Sequence, residues 1–143
     1  MLNINYVLCR AKVMDNYSYI ITDTNTGISA IIDPSETSPI IKKCDELGIK
    51  PQYILNTHHH FDHTDGNIEL AQKYNAKIVC NIKDKHRIKG AEIFIEDGGK
   101  FELGDSVAKI IDVSAHTQGH ILYYFEKDKA LFTGDTLFNL CIG

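Results

Sequence analysis

The chain lacks the features that mark a membrane-spanning or secreted protein. None of its apolar runs approaches the roughly 18 residues that a bilayer-crossing helix needs. The N-terminus has no basic stretch followed by an apolar core and a small-residue cleavage site, so we expect no secretory signal. Together these absences predict a cytoplasmic protein.

A C-x-x-C pair is also absent, although the chain has four cysteines. Cys9, Cys44, Cys80 and Cys141 are widely spaced along the chain. Two disulfides are conceivable, but in a cytosolic protein we expect reduced, buried thiols.

Strong charge of either sign is also missing. A net charge of −4 gives no electrostatic reason to bind nucleic acid or an anionic membrane, so neither is expected as a partner. Hydrophobic residues make up 43% of the chain, as in an ordinary globular protein. No repeat, low-complexity tract or flexible linker divides it, so we expect one domain over residues 1–143.

The pattern of apolar and turn-forming residues predicts strands with interspersed helices. One helix is expected from Pro34 to about Leu47, with Gly48 as its stop, and a second over 67–74. Strands are expected over residues 4–9, 17–23, 28–33, 52–56, 77–81, 101–103, 107–113, 121–125 and 130–132. This order favours a layered α/β fold.

Histidine is concentrated in one short segment of the chain. Residues 57–63 read THHHFDH, which holds four of the seven histidines. Alternate side chains of an extended segment point the same way, so His58 and His60 can face one ion while His59 faces away. A turn after them would bring Asp62 and His63 to a second ion, and such ligands suit zinc, iron and similar metals. A tag-like surface tract is the alternative, but tags lie at termini and lack an interleaved aspartate.

Two later segments place further ligand types directly after predicted strands. His116 follows the apolar run over 107–113, and Asp135 follows the run over 130–132. Loops at strand ends carry chemistry on a rigid scaffold. His116 is therefore the candidate third imidazole for the first ion. Asp135 has two carboxylate oxygens and could bridge both ions.

These motifs together resemble the metallo-β-lactamase superfamily and, within it, the hydroxyacylglutathione hydrolases, or glyoxalase II enzymes. The matching stretches are residues 57–63, 116–120 and 134–138, supported by 15–21, 31–34 and 98–104. The resemblance runs from about residue 4 to the end of the chain. It implies a four-layer αββα sandwich.

The resemblance also implies a site with two divalent metal ions. The ligands would be His58, His60 and His116 for the first ion, Asp62 and His63 for the second, and Asp135 as the bridge. Asp62 and Asp135 would thereby be the catalytic carboxylates. Zinc is the default metal, with iron or manganese compatible. A metal-bound hydroxide would split S-2-hydroxyacylglutathione, a thioester, into glutathione and a 2-hydroxy acid.

The chain stops short of the family's full pattern. The family continues past the stretch that matches 134–138, adding a histidine for the second metal, glutathione-binding side chains and a helical C-terminal domain. We therefore expect that domain to be absent and the second half of the sandwich to be incomplete. The last strand would leave an exposed edge, which favours a homo-oligomer or a complementing chain.

Two alternatives to the thioester hydrolase stay open. One is a truncated metal-binding domain that is non-catalytic or needs a partner. The other is a persulfide dioxygenase-like oxidoreductase, which has the same metal motif but uses one iron. Two roles are also open: His120 could support the first metal from behind or only pack, and Asp33 could bond a ligand histidine or cap a turn.

Overall fold

The computed structural model describes residues 1–9, 16–58, 64–113, 119–133 and 137–139. Its elements in chain order are β1 (Leu2–Cys9), β2 (Asn16–Asp23), β3 (Ser29–Ile32), α1 (Ser38–Leu47), β4 (Tyr53–Leu55), α2 (Asn67–Tyr74), β5 (Lys77–Asn81), β6 (Ala91–Ile95), β7 (Lys100–Leu103), β8 (Ser106–Asp112), β9 (Ile121–Phe125), β10 (Ala130–Phe132) and β11 (Leu137–Asn139). Short 3-10 turns lie at Ile82–Asp84 and Glu126–Asp128.

The strands form two sheets. The first has the order β1-β2-β3-β4-β5-β6 and the second the order β11-β10-β9-β8-β7. In the first sheet β3, β4, β5 and β6 run parallel, whereas the second sheet is antiparallel throughout. Because the carboxyl ends of parallel strands meet at one edge of a sheet, the residues that follow β3, β4 and β5 lie side by side.

The layers pack on one another through two apolar cores. Between the sheets, Tyr123, Phe125 and Phe132 are fully buried, and Tyr19 packs edge-on against Phe132 with ring centroids 5.4 Å apart. A second core lies between the other face of the first sheet and the helices, which contribute Ile40, Cys44 and Leu70. The alternation of β2, whose neighbours Ile20 and Ile21 belong to opposite cores, follows from the two-residue period of a strand.

The described residues form three of the four layers of an αββα sandwich. Helices α1 and α2 cover the first sheet, and the two sheets cover each other. In the part of the chain that the structure describes, no helix covers the outer face of the second sheet, where Val107 and Ile111 are exposed. The expected fold class, a layered α/β sandwich, is confirmed by these three layers. No helix in the described ranges is long and apolar enough to cross a membrane.

The main departures from the predicted elements are one helix start, one strand end and two missed strands. The first helix begins at Ser38 rather than Pro34, because Pro39 is the proline in its first turn; it ends before Gly48 as predicted. Strand β3 ends at Ile32, since Asp33 has a left-handed φ of 50° and leaves the sheet. Strands β6 and β11 were missed; β6 is an edge strand with mixed burial, which gives a weak alternation signal.

The cysteine prediction is confirmed where it can be followed. Cys9, Cys44 and Cys80 are free and buried, and Cys141 lies outside the described residues. Burial raises the pKa of Cys80 to about 12, with a smaller contribution from the nearby Asp84 carboxylate. This thiol therefore stays protonated near neutral pH.

Candidate metal centre

The stems of the three loops that carry the predicted ligands meet at the carboxyl edge of the parallel strands. Thr57 follows β4, and its carbonyl accepts a hydrogen bond from the backbone N–H of Ile121 at 2.8 Å. His120 precedes β9 and donates from Nε2 to the carbonyl of Thr133 at 2.8 Å, directly before Gly134 and Asp135. Two hydrogen bonds thus join segments that are far apart in sequence.

His120 lies at the junction of these stems. Its ring stacks on the ring of His58, with centroids 4.6 Å apart and an interplanar angle of 18°. Both rings are almost entirely buried, with His58 3% exposed and His120 5% exposed. His120 therefore packs on a predicted ligand and connects it to the stem of the third loop; its support of the first metal stays a prediction.

A chain of hydrogen bonds orients His58. Asp33 accepts from the Thr57 backbone N–H at 2.8 Å and from the Thr57 hydroxyl at 2.6 Å, and Thr57 Oγ1 lies 2.8 Å from Nδ1 of His58. Because the hydroxyl hydrogen goes to the carboxylate, Oγ1 must accept from Nδ1–H. The imidazole is then the tautomer whose Nε2 carries the lone pair, as a metal ligand requires.

The Asp33 prediction is thereby refined. The hydrogen bonds described for its carboxylate run to Thr57, so its support of His58 is indirect. Its φ of 50° belongs to the left-handed region, which is uncommon outside glycine and is retained where surrounding contacts hold it. Sequence reasoning missed Thr57, although its position immediately before the histidine cluster was the available signal.

The residue before Thr57 is anchored from two sides. Asn56 and Asn67 exchange side-chain hydrogen bonds of 3.2 and 2.6 Å, which tie the end of β4 to the start of α2. The buried hydroxyl of Tyr123 donates to the Asn56 carbonyl at 2.8 Å, which ties it to the second sheet. Burial raises the pKa of Tyr123 well above its usual range, so this hydroxyl stays a donor. The chain is therefore held to α2 and to the second sheet just before the histidine segment begins.

Comparison with known proteins identifies the family. Residues 11–143 match the family model described as the metallo-beta-lactamase superfamily. The chain belongs to this superfamily. Among curated relatives, it is 45% identical over 131 residues to a hydroxyacylglutathione hydrolase of Pelagibacter ubique, covering 92% of this chain and 55% of that protein. It is 42% identical over 129 residues to one of Methylococcus capsulatus, covering 90% of this chain and 50% of that protein.

Solved structures agree on the superfamily fold. The BLEG-1 B3 metallo-beta-lactamase superposes with a TM-score of 0.81 at 20% identity, covering 95% of this chain and 73% of that one. ETHE1 from Myxococcus xanthus superposes with a TM-score of 0.76 at 21% identity, covering 88% of this chain and 54% of that one. The predicted resemblance is confirmed, and the chain spans about half the length of the curated relatives it matches.

The six ligands themselves stay a prediction for this superfamily member. His58 is described and has the tautomer that a metal requires. The other five, His60, Asp62, His63, His116 and Asp135, lie outside the described residues, as does His59. Among the residues that the structure does describe, no three His, Cys, Asp or Glu side chains are close enough to hold a metal. The observed part of the centre is its supporting framework.

Proposed function

We propose that this chain forms the metal-binding part of a hydroxyacylglutathione hydrolase, acting on the thioester of glutathione with a 2-hydroxy acid. The convergence of three loop stems at Thr57, His120 and Thr133 carries the proposal, because these loops contain every predicted ligand. The relatives that are 42–45% identical and bear this name support the substrate class.

The proposed ligand set fits two divalent ions. It comprises His58, His60 and His116 for the first ion, Asp62 and His63 for the second, and Asp135 between them. Imidazole and carboxylate ligands suit zinc, and also iron or manganese. When bound, such a pair of ions supplies an activated water and polarises a carbonyl. The chain's own contribution is to orient His58 through Thr57 and to shield its ring with His120.

A thioester suits a site of this composition. A thiol leaving group has a pKa of roughly 8.5, so it departs as a thiolate without strong help from a general acid. The carboxylates in the proposed set, Asp62 and Asp135, are then free to serve as metal ligands rather than proton donors. An amine or alkoxide leaving group would need a further acid.

A partner-dependent or non-catalytic metal-binding domain is the second candidate function. The specific observation that favours it is the edge strand β11: among the described residues no strand pairs with its outer side, so a second copy or a complementing chain could add one there. The persulfide dioxygenase alternative gains no support from the relatives' names.

We expect a small glutathione thioester as the ligand, with neither nucleic acid nor membrane as a partner, given the net charge of −4. A cytoplasmic location agrees with the buried, free thiols of Cys9, Cys44 and Cys80.

Metal analysis paired with a thioester assay tests the proposed function. The zinc-loaded chain is expected to bind two ions per molecule and to hydrolyse S-lactoylglutathione, and a chelator should abolish this turnover. The full-length Pelagibacter ubique relative serves as the positive control. Two bound zinc ions without turnover would contradict the hydrolase and favour the non-catalytic domain.

Substitutions at the predicted ligands test the assignment of each side chain. Asp135→Ala should lower zinc binding and turnover most, because this carboxylate is proposed to touch both ions. His58→Ala should follow, whereas the matched His59→Ala variant should change little. If His59→Ala reduces zinc binding as much as His58→Ala does, the assignment of alternate side chains to the metal is wrong.

A further inference from the structure

The turn after β5 contacts the loop between β8 and β9, which carries His116. We propose that two buried residues of this turn, Asn81 and Asp84, are positioning residues that hold this loop so that His116 reaches the first metal. The inference rests on the proposed metal centre and assigns it two supports outside the ligand loops. Three contacts between the turn and the loop with its stem, none involving a predicted ligand, carry it.

Asn81 bridges the turn and the loop with one side-chain amide. It is 2% exposed, and its Nδ2 donates to the carbonyl of Gly119 at 3.1 Å. Its Oδ1 accepts from the backbone N–H of Lys83 at 3.2 Å and so caps the 3-10 turn Ile82–Asp84. The NH2 group and the oxygen of the amide therefore make different hydrogen bonds, and a substitution can remove one bond without the other.

Asp84 packs directly on the backbone of Gly119. The carboxylate is 1% exposed and receives a hydrogen bond from Nη1 of Arg87 at 3.2 Å. A Cβ built on Gly119 would overlap Oδ1 of Asp84 and lie 2.7 Å from its Cγ. Gly119 also has a φ of +87°, which disfavours any side chain. This approach is possible only because residue 119 is glycine, so the turn and the loop fit each other closely.

The same turn reaches the other side of the loop stem. Nζ of Lys83 lies 2.9 Å from Oδ2 of Asp112, the last residue of β8. The stem itself is closed by the backbone N–H of Val113, which donates to the carbonyl of His120 at 2.8 Å. In sequence, His116 is midway between Val113 and Gly119, in the stretch outside the described residues. Both ends of that stretch are thus held by the turn after β5.

A structural role alone would make a different prediction. If Asn81 and Asp84 only stabilise the turn, their replacement lowers stability and leaves metal binding intact. If they position the loop, the coordination of the metal changes as well, because a ligand must be held within roughly half an ångström of its working position. Contacts that support metal ligands from behind typically change metal affinity by about 10- to 100-fold.

Zinc affinity and the visible spectrum of the cobalt-loaded chain distinguish these roles. Asn81→Asp keeps the acceptor for the Lys83 N–H but loses the donor to Gly119, and Asp84→Ala removes the carboxylate that packs on Gly119. Both are expected to weaken the binding of zinc about 10- to 100-fold in competition with a chromophoric chelator. Both should also alter the cobalt absorption bands.

Asp23→Asn is the matched control, since it removes a buried carboxylate at the opposite end of the first sheet. Thermal unfolding of the metal-free proteins identifies any variant that does not fold, and affinities are compared at a temperature where all are folded. Wild-type zinc affinity and cobalt spectra in both turn variants would overturn this inference alone. A wild-type chain that binds no zinc would overturn the proposed function and this inference with it.

Discussion

Two buried aspartates lie at opposite ends of the first sheet, Asp33 after β3 and Asp23 at the end of β2. Because β2 and β3 are antiparallel, these positions are far apart. Each carboxylate accepts a hydrogen bond of 2.6 Å from a threonine hydroxyl, Thr57 for Asp33 and Thr26 for Asp23, and also accepts backbone N–H groups. The local chemistry is nearly the same at both ends.

The difference lies in what the threonine contacts next. Thr57 continues to Nδ1 of His58, a predicted metal ligand. Asp23 instead also accepts from the Asp105 backbone and the Ser106 hydroxyl, so it joins the β2–β3 turn to the β7–β8 turn of the other sheet. One buried carboxylate thus serves a ligand and the other closes the sandwich, which indicates that burial and bonding alone do not identify a functional aspartate.

Adding a methyl group at Gly104, in the β7–β8 turn beside Asp23, should produce the largest loss of stability. Gly104 has a φ of +59°, and a Cβ there would overlap Oγ1 of Thr26. We expect Gly104→Ala to lower the free energy of unfolding by about 2 to 5 kcal/mol, from backbone strain and overpacking. Urea unfolding measures this change. An unchanged urea midpoint would show that the turns do not meet as closely as described.

Removing one threonine hydroxyl at each end tests the comparison directly. Thr57→Val should weaken zinc binding about 10- to 100-fold, because it breaks the link between Asp33 and His58. Thr26→Val should leave zinc affinity within about twofold, since distant sites act nearly independently. Chelator competition measures both affinities. Equal losses of affinity in the two variants would contradict the assigned division of roles.

A smaller effect is expected at the bond between the sheets near the site. Tyr123→Phe removes the hydroxyl that donates to the Asn56 carbonyl and leaves that carbonyl buried. We expect the free energy of unfolding to fall by about 1 to 2 kcal/mol. Chemical denaturation measures it, and a variant as stable as the wild type would mean that this bond contributes nothing to joining the sheets.

The smallest effect is the pH dependence of stability that the Asp23 carboxyl produces. The Thr26 hydroxyl, followed by the Asp105 backbone N–H, holds the pKa of the Asp23 carboxyl well below its usual value of 3.8. A depressed folded-state pKa adds stability above the unfolded-state pKa of about 4, and this stability is lost as pH falls toward the folded-state value. The gap in urea midpoint between wild type and Asp23→Asn should therefore narrow below about pH 4. A gap that stays constant with pH would contradict this origin.

Much of the architecture could be predicted because it depends on patterns of residues that are close in sequence. The alternation of polar and apolar residues in β7, and the helix stop at Gly48, depend on neighbours in sequence. Strand β6 escaped prediction because it lies at the edge of its sheet and buries only part of either face. The helix start was misplaced because two prolines, Pro34 and Pro39, compete for the same signal.

The framework of the site could not be predicted from sequence patterns, whereas its ligands could be proposed from them. The histidines and the aspartate of residues 57–63 indicate metal binding by their residue types and spacing alone. The link from Asp33 through Thr57 to His58, and the contact of Asn81 with Gly119, join residues whose proximity depends on the order of strands in the sheet. No single-sequence pattern encodes that order, so supporting residues appear only once the sheet is assembled.

X-ray absorption at the zinc edge of the zinc-loaded chain tests the central claim that the three loops form one dinuclear centre. The account predicts nitrogen and oxygen ligands at about 2.0 to 2.2 Å and a second zinc at roughly 3.5 to 4 Å. Thiolate sulfur in the first shell, or zinc without a neighbouring zinc at full loading, would contradict it.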